Sequence, residues 1–257
     1  MPRKYGYIPD LMDFRDKVYA VPRPTLAALP ASVDLRPQCP PVVDQGDLNG
    51  CVGNAIAAAV QFDQMKQGIA AWAVSRLFIY YNARVIEDSI ASDNGCQIRD
   101  GIKSIGQQGI CSEDEWPYDV TQFATAPSAQ AVRDASDNTA INYQAITRSL
   151  DQLKGCLAEG RPFVFGFSVY SSFDAIGADG MMPMPSTSED LEGGHAVVAV
   201  GYSDELQRVI VRNSWGTSFG DNGHFYMPYA YLLDENLSDD MWRIQSVREG
   251  AATGSAG

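Results

Sequence analysis

The sequence predicts an α+β protein built as two lobes, and three observations carry that expectation. Apolar residues recur at helical spacing through the first half of the chain. The second half holds β-branched and aromatic runs bounded by glycine or proline, and no internal repeat is visible. Residues 1–30 read as an extension rich in tyrosine and proline, in which Pro2, Pro9, Pro22, Pro24 and Pro30 break any long helix. The core begins at Ala31-Ser-Val-Asp-Leu-Arg36 and is expected to run to residue 245. Helices are predicted over 51–66, 75–86 and 99–108, and again near 149–159. The polar, alanine-rich stretch 119–140 reads as a loop with one more helix. Strands are predicted over 162–170, 195–202, 208–213 and 223–227. A mainly helical lobe thus covers about 36–140 and a mainly β lobe about 141–240. Residues 246–257 form a tail whose end, Gly250-Ala-Ala-Thr-Gly-Ser-Ala-Gly257, is small and polar and expected to be flexible.

A chain of 257 residues with 45% hydrophobic content can bury a substantial core. No run approaches the roughly 18 apolar residues of a membrane span, and the N-terminus lacks the apolar region of a secretory signal, so no membrane and no signal peptide are expected. A formal net charge of −13 repels polyphosphate, so no nucleic-acid partner is expected. Acidic groups at Ser112-Glu-Asp-Glu115 and Ser238-Asp-Asp240 read as solvated surface. Five cysteines leave at least one thiol unpaired. With no C-x-x-C and only two histidines, neither a zinc site nor another cofactor is expected. Cys156 reads as a buried apolar filler, and Cys39, Cys96 and Cys111 admit one bridge without fixing the pair.

The chemistry centres on Cys51, at the start of a segment that reads as a buried helix. A thiol there feels the positive end of the helix dipole and the open N–H groups of the first turn, which favour the nucleophilic thiolate. An imidazole completes an ion pair with it, and an amide oxygen holds that imidazole in the working tautomer. His195, in Gly194-His195-Ala196, and Asn213, in Asn213-Ser-Trp215-Gly216, are the candidates; His224 reads instead as a strand histidine satisfied by backbone. Gln45 by itself reads as a surface glutamine beside a glycine turn. Its place six residues before Cys51 makes it a candidate donor to a developing oxyanion, beside the Cys51 N–H, and loss of such a donor costs ~2.7–4 kcal/mol.

Asp44-Gln45-Gly46-Asp-Leu-Asn-Gly50-Cys51, Gly193-Gly-His195-Ala-Val-Val-Ala-Val-Gly201-Tyr202 and Val211-Arg-Asn213-Ser-Trp215-Gly216 resemble the papain-like cysteine peptidases, in that family's order of glutamine, cysteine, histidine and asparagine. Gly109-Ile110 with Trp116-Pro117-Tyr118, and Gly220-Asp-Asn-Gly223-His-Phe225, agree. The resemblance covers about residues 31–235. It implies a papain-like two-lobe fold, a helical lobe and a β-barrel-like lobe with the cleft between them, and hydrolysis of peptide or protein substrates by a chain acting as a monomer. Departures stand at Leu48 and Val52, where plant and lysosomal members carry cysteine and tryptophan, and at Gly95-Cys96-Gln97-Ile98-Arg99, where glycines give way to Ile98 and Arg99 as in the bacterial branch. The competing expectation is a papain-fold protein without proteolysis, a binding scaffold or a Cys–His acyltransferase.

Gly50, Gly194, Ala196 and Trp215, which flank the four central residues, are expected along the substrate path, with Trp215 covering the Asn213–His195 bond. Ile98 and Arg99 are expected on the opposite wall, although Arg99 beside Asp100 equally suits an ion pair. Met184, in the methionine- and proline-bearing segment 177–193, either lines a subsite or edges a surface connection. Residues 1–30 hold Tyr5, Tyr7, Ile8, Leu11 and Phe14, an odd composition for an idle tail. They are expected to lie in the cleft and cover the thiol of a self-inhibited precursor, so that a chain starting near Ala31 hydrolyses peptides faster.

Overall fold

Cys51–Lys66 forms the helix around which the molecule is built, and its sequence explains why. Thirteen of its sixteen residues are buried, so a segment apolar on nearly every face finds cover on every side. The computed structural model describes residues 4–11, 13–68, 72–138 and 141–246; the tail beyond Ser246 lies outside the described residues. The strands are β1 (Tyr7–Ile8), β2 (Val18–Tyr19), β3 (Ser32–Asp34), β4 (Cys96–Gln97), β5 (Ile141–Ile146), β6 (Phe163–Tyr170), β7 (Leu191–Ser203), β8 (Arg208–Arg212), β9 (His224–Pro228) and β10 (Ser238–Ser246). The helices are α1 (Arg23–Ala27), α2 (Cys51–Lys66), α3 (Arg76–Ile86), α4 (Ile98–Gln108), α5 (Ala129–Ser136), α6 (Leu150–Ala158) and α7 (Tyr229–Leu233).

Local signals account for the helix ends. The Ser75 hydroxyl accepts from Phe78 N–H at 3.2 Å and caps α3, and Ser128 caps α5 in the same way. Helix α4 stops at Gly109, whose φ of 82° lies where a side chain is strained. On one side α2 meets α3 and α4; on the other it meets β7 and β10. The core is therefore the seam between helices and sheet, and it includes Val52, Ile56, Leu77, Ile98, Phe165 and Val198.

The main sheet runs β2-β5-β10-β6-β7-β8-β9, with β3 added against β7. All its pairings are antiparallel except β2 with β5. Among the described residues it is an open sheet and not a closed barrel, and with the helices packed on it the fold is the mixed α+β one expected. The register of β6 on β7 sets Phe167 opposite His195 and Gly166 opposite Ala196, and the His195 ring lies against Phe167 and Phe173.

The N-terminal extension is integral to this packing. Strand β2 pairs with β5, Tyr19 and Val21 are buried, and the Tyr19 hydroxyl donates to Glu159 at 2.6 Å. A methyl group at Gly155 of α6 would overlap Val21, which is why this helix carries a glycine there. Strands β5 and β10 were not expected from the sequence, and the acidic Ser238-Asp-Asp240 lies in β10 with Asp240 half-buried instead of solvated. All five cysteines are free thiols, and Cys156 is buried in α6.

Candidate active site

Cys51 is the first residue of α2, with Gly50 before it as the half-in residue that keeps the helix mouth open. Backbone N–H groups of Cys51, Val52, Ala196 and Gly6 surround the thiol, which brings β7, α2 and the N-terminal segment together on one sulfur atom. The thiol is fully buried, and that burial pushes its pKa up to about 11 against the downward pull of those four donors.

His195 lies beside it on β7, wholly buried. Its Nε2 is 2.8 Å from Asn213 Oδ1, and that oxygen also accepts from Ser214 N–H at 2.8 Å. An oxygen already fixed as acceptor puts the proton on Nε2, which leaves Nδ1 as the nitrogen able to take one. Trp215 stacks on the imidazole with ring centres 4.9 Å apart and planes 28° from parallel, closing one side of the His195–Asn213 bond to water. His224 is buried on β9 with Nδ1 3.2 Å from the Asn222 carbonyl, and burial and then Arg212 and Arg36 push its pKa down to about 4.

Gln45 is buried in the connection before α2. Its N–H donates to Ser214 O at 2.8 Å, its Oε1 accepts from Ser214 Oγ at 2.6 Å, and its Nε2 donates to Leu48 O at 2.9 Å. The same Nε2 is 3.4 Å from the carbonyl of Lys4.

The N-terminal segment fills the cleft. The Gly6 carbonyl accepts from Cys96 N–H at 2.9 Å, and β1 continues this contact as a parallel pair with β4. The Tyr5 ring is 6.1 Å from that of His195 and 5.9 Å from that of Trp215. Tyr7 is buried with its ring over Gly166 and its carbonyl against Gly194, positions where any Cβ would overlap it. Its hydroxyl donates to Asp240 Oδ2 at 2.5 Å, and Asp10 N–H donates to the same oxygen at 2.7 Å. The Asp10 carboxylate accepts from Arg99 N–H at 3.0 Å and Trp242 Nε1 at 2.9 Å.

Several expected positions fall elsewhere. Leu11 and Phe14 are 76% and 99% exposed, on the bend by which the segment leaves the cleft, and Ile8 is 37% exposed. Ile98 belongs to the core, because the first turn of α4 faces α2 and α3. Arg99 turns from the cleft to bond Asp16 at 2.5 Å, not Asp100, and its guanidinium lies over Trp242. Met184 is 45% exposed on the surface connection, whereas its neighbour Met182 is buried. Asp240 was expected as solvated surface, not as an acceptor for Tyr7, and Asn54, whose Nδ2 donates to the Gly50 carbonyl at 2.8 Å, was not expected at the site. The polar Asn54 inside the apolar run of α2 was the available signal. Among the described residues no three His, Cys, Asp or Glu side chains converge to hold a metal ion, and no helix is long and apolar enough to cross a membrane.

A buried thiol at a helix mouth, an imidazole whose far nitrogen is bonded to an amide, and a glutamine amide nearby define the class of thiol-dependent acyl hydrolases. The chain belongs to the papain family of cysteine proteases, whose family profile, described as "Papain family cysteine protease", matches residues 29–235. It is 38% identical over 274 aligned positions to an uncharacterized peptidase C1-like protein of Acanthamoeba polyphaga mimivirus, covering 96% of this chain and 88% of that one. It is 31% identical to a cathepsin B-like protein of Giardia intestinalis, covering 82% and 73%. Among solved structures it matches xylellain, a cysteine protease from Xylella fastidiosa, with a TM-score of 0.91 at 43% identity, covering 96% of this chain and 99% of that one. The protein is thus a cysteine peptidase acting on peptide substrates.

Proposed function

We propose that Cys51, His195, Asn213 and Gln45 carry out peptide hydrolysis and that residues 4–10 hold the chain as a self-inhibited, monomeric precursor. Cys51 passes its proton to His195 Nδ1, and the resulting thiolate attacks the peptide carbonyl carbon, forming a C–S bond while the carbonyl electron pair moves to oxygen. The Cys51 N–H and Gln45 Nε2 receive that oxyanion. His195 gives its Nδ1 proton to the leaving amine as the C–N bond breaks, which leaves an acyl-enzyme thioester. His195 then takes a proton from water, the hydroxide oxygen bonds the acyl carbon, and the thiolate departs. Asn213 holds Nε2–H throughout, so the ring presents Nδ1 to sulfur in every step.

The observation that carries the inhibitory reading is the backbone laid across the thiol. The Lys4 carbonyl stands 3.4 Å from Gln45 Nε2, the donor assigned to the oxyanion, and Gly6 N–H faces the Cys51 sulfur. A thiol covered by this backbone is closed to any other peptide, so the segment occupies the place a substrate would take. The burial it contributes favours the neutral thiol, and its removal readmits water and lowers the cost of ionisation.

The test compares the full chain with one starting at Phe14, a cut in the exposed bend that keeps β2 in the sheet. The shorter chain is expected to alkylate Cys51 with iodoacetamide, and to hydrolyse peptides, at least about tenfold faster per titrated thiol, because the desolvating cover has gone. Equal rates for the two chains would sink the inhibitory reading. Rapid alkylation of the shorter chain without hydrolysis of any peptide would leave the scaffold or acyltransferase in place of the peptidase mechanism.

A further inference from the structure

Gln45 and Cys51 lie at the two ends of a connection with no regular structure, and Gly46 within it adopts φ 58°. If the two donors act together on one oxyanion, something must fix their separation, because a displacement of about 1 Å costs on the order of a hundredfold in rate. Toward the sheet, Ser214 holds Gln45 by its N–H and its Oε1. Toward the helices, the hold runs through three residues outside the proposed catalytic set.

The Tyr118 hydroxyl donates to the Gln45 carbonyl at 3.0 Å. Asn54 Nδ2 donates to that hydroxyl at 3.3 Å and to the Gly50 carbonyl, at the mouth of α2, at 2.8 Å. Arg76 Nη1 donates to Asn54 Oδ1 at 3.0 Å and to the Asp44 carbonyl, one residue before Gln45, at 3.2 Å. Its guanidinium lies 3.9 Å from the Tyr118 ring centre, and Glu113 fixes the other edge through Nε at 2.5 Å. Both ends of the connection are therefore bonded to one network. Asn54 is 2% exposed in a helix turn that otherwise carries Val52, Gly53, Ala55 and Ile56, a place where a polar side chain costs stability unless fully bonded. A Cβ at Gly50 would stand 3.0 Å from the Tyr118 hydroxyl, so glycine there lets the brace close. Burial first of all pushes the Tyr118 phenol up to about 12, which keeps it a donor at every working pH.

We infer that Asn54, Tyr118 and Arg76 are positioning residues that set the distance between Gln45 and the first turn of α2, and so assemble the oxyanion site. The inference rests on the proposed role of Gln45. The test uses the full chain and the variants Tyr118→Phe, Gln45→Ala and the two combined, with turnover expressed per alkylatable Cys51. Tyr118→Phe keeps the ring under Arg76 and removes one O–H. It is expected to lower kcat about tenfold, to leave KM and the iodoacetamide rate within about twofold, and to weaken a peptide aldehyde, which binds as a tetrahedral hemithioacetal, by the same factor as kcat/KM. In the Gln45→Ala background the same change should add less than about twofold, because its route has been removed.

A Tyr118→Phe enzyme with full kcat beside an impaired Gln45→Ala enzyme overturns the brace alone. Full kcat in Gln45→Ala overturns the donor assignment and the brace with it. An undiminished tenfold loss in the double variant, or a loss seen in KM instead of kcat, shows a role other than positioning Gln45 and also overturns the inference. Asn54→Ala serves as the second probe, and where it fails to fold Tyr118→Phe decides.

Discussion

At the scale of single residues, the two histidines separate by their surroundings. His195 has Nε2 2.8 Å from an amide oxygen and an aromatic plane across its face, whereas His224 bonds a backbone carbonyl and is held neutral by burial and then by the charges of Arg212 and Arg36. His195→Ala is expected to lower kcat/KM by at least about a thousandfold and His224→Ala by less than about threefold, read as peptide hydrolysis by folded enzyme. The reverse order would assign the base to His224. Cys51, His195 and Asn213 were readable as candidates because the residues that flank each are local in sequence. Tyr118, Arg76 and Asp240 were not, because what they do depends on partners that only the fold brings near: Tyr118 lies 73 residues from Gln45, and Asp240 lies 233 from Tyr7.

At the scale of elements, the N-terminal segment is held by a cluster with an uneven proton balance. Asp10 and Asp240 face each other, with Tyr7, Arg99, Trp242, Asp16 and Asp239 around them. Burial and then the Asp240 charge raise the Asp10 pKa to about 7, against the pull of Arg99 and Trp242, and Asp240 is raised as well. Once the segment leaves the cleft, Asp10 returns to roughly 3.9. The closed form therefore binds a proton more tightly than the open form. Its extra stability is full below about pH 4 and is lost as pH climbs through about 7. The ratio of iodoacetamide rates, full chain over chain starting at Phe14, should rise toward unity between pH 4 and 8. A flat ratio would remove the carboxylate pair from the latch. This element was only half legible. Aromatic residues in the extension indicated that it packs, but not that Tyr7 packs while Phe14 stands in water. Strand β10 was missed because a bulge between Asp239 and Trp242, with Asp240 at φ 54°, breaks the two-residue alternation that marks a strand.

At the scale of the molecule, the boundary drawn at residue 30 divides the sequence and not the packing. Tyr19 and Val21 bury their side chains beneath α6 and β5, worth ~1.5–3 kcal/mol each. A chain starting at Ala31 is expected to unfold at lower denaturant than one starting at Phe14, with a further loss of at least about 3 kcal/mol, because both lack the buried Tyr7 and only the longer one keeps Tyr19 and Val21. Equal midpoints for the two shortened chains would show that β2 adds nothing to the fold. The two-lobe order was readable from the shift from helical to strand periodicity, yet the participation of β2 and β3 in the sheet of the second half was not, since strands of two or three residues carry no period. The turn Asp13–Asp16, which stands Phe14 in solvent, has a consequence for molecularity. While the turn is intact, the segment meets the cleft at an effective concentration on the order of millimolar, whatever the amount of protein. Once the turn is severed, the same contacts form only by a bimolecular encounter with a peptide diluted into the whole volume. On the proposed inhibitory reading, the closed state rests on one unbroken chain more than on affinity, and a single scission there would turn a reversible equilibrium into a one-way step.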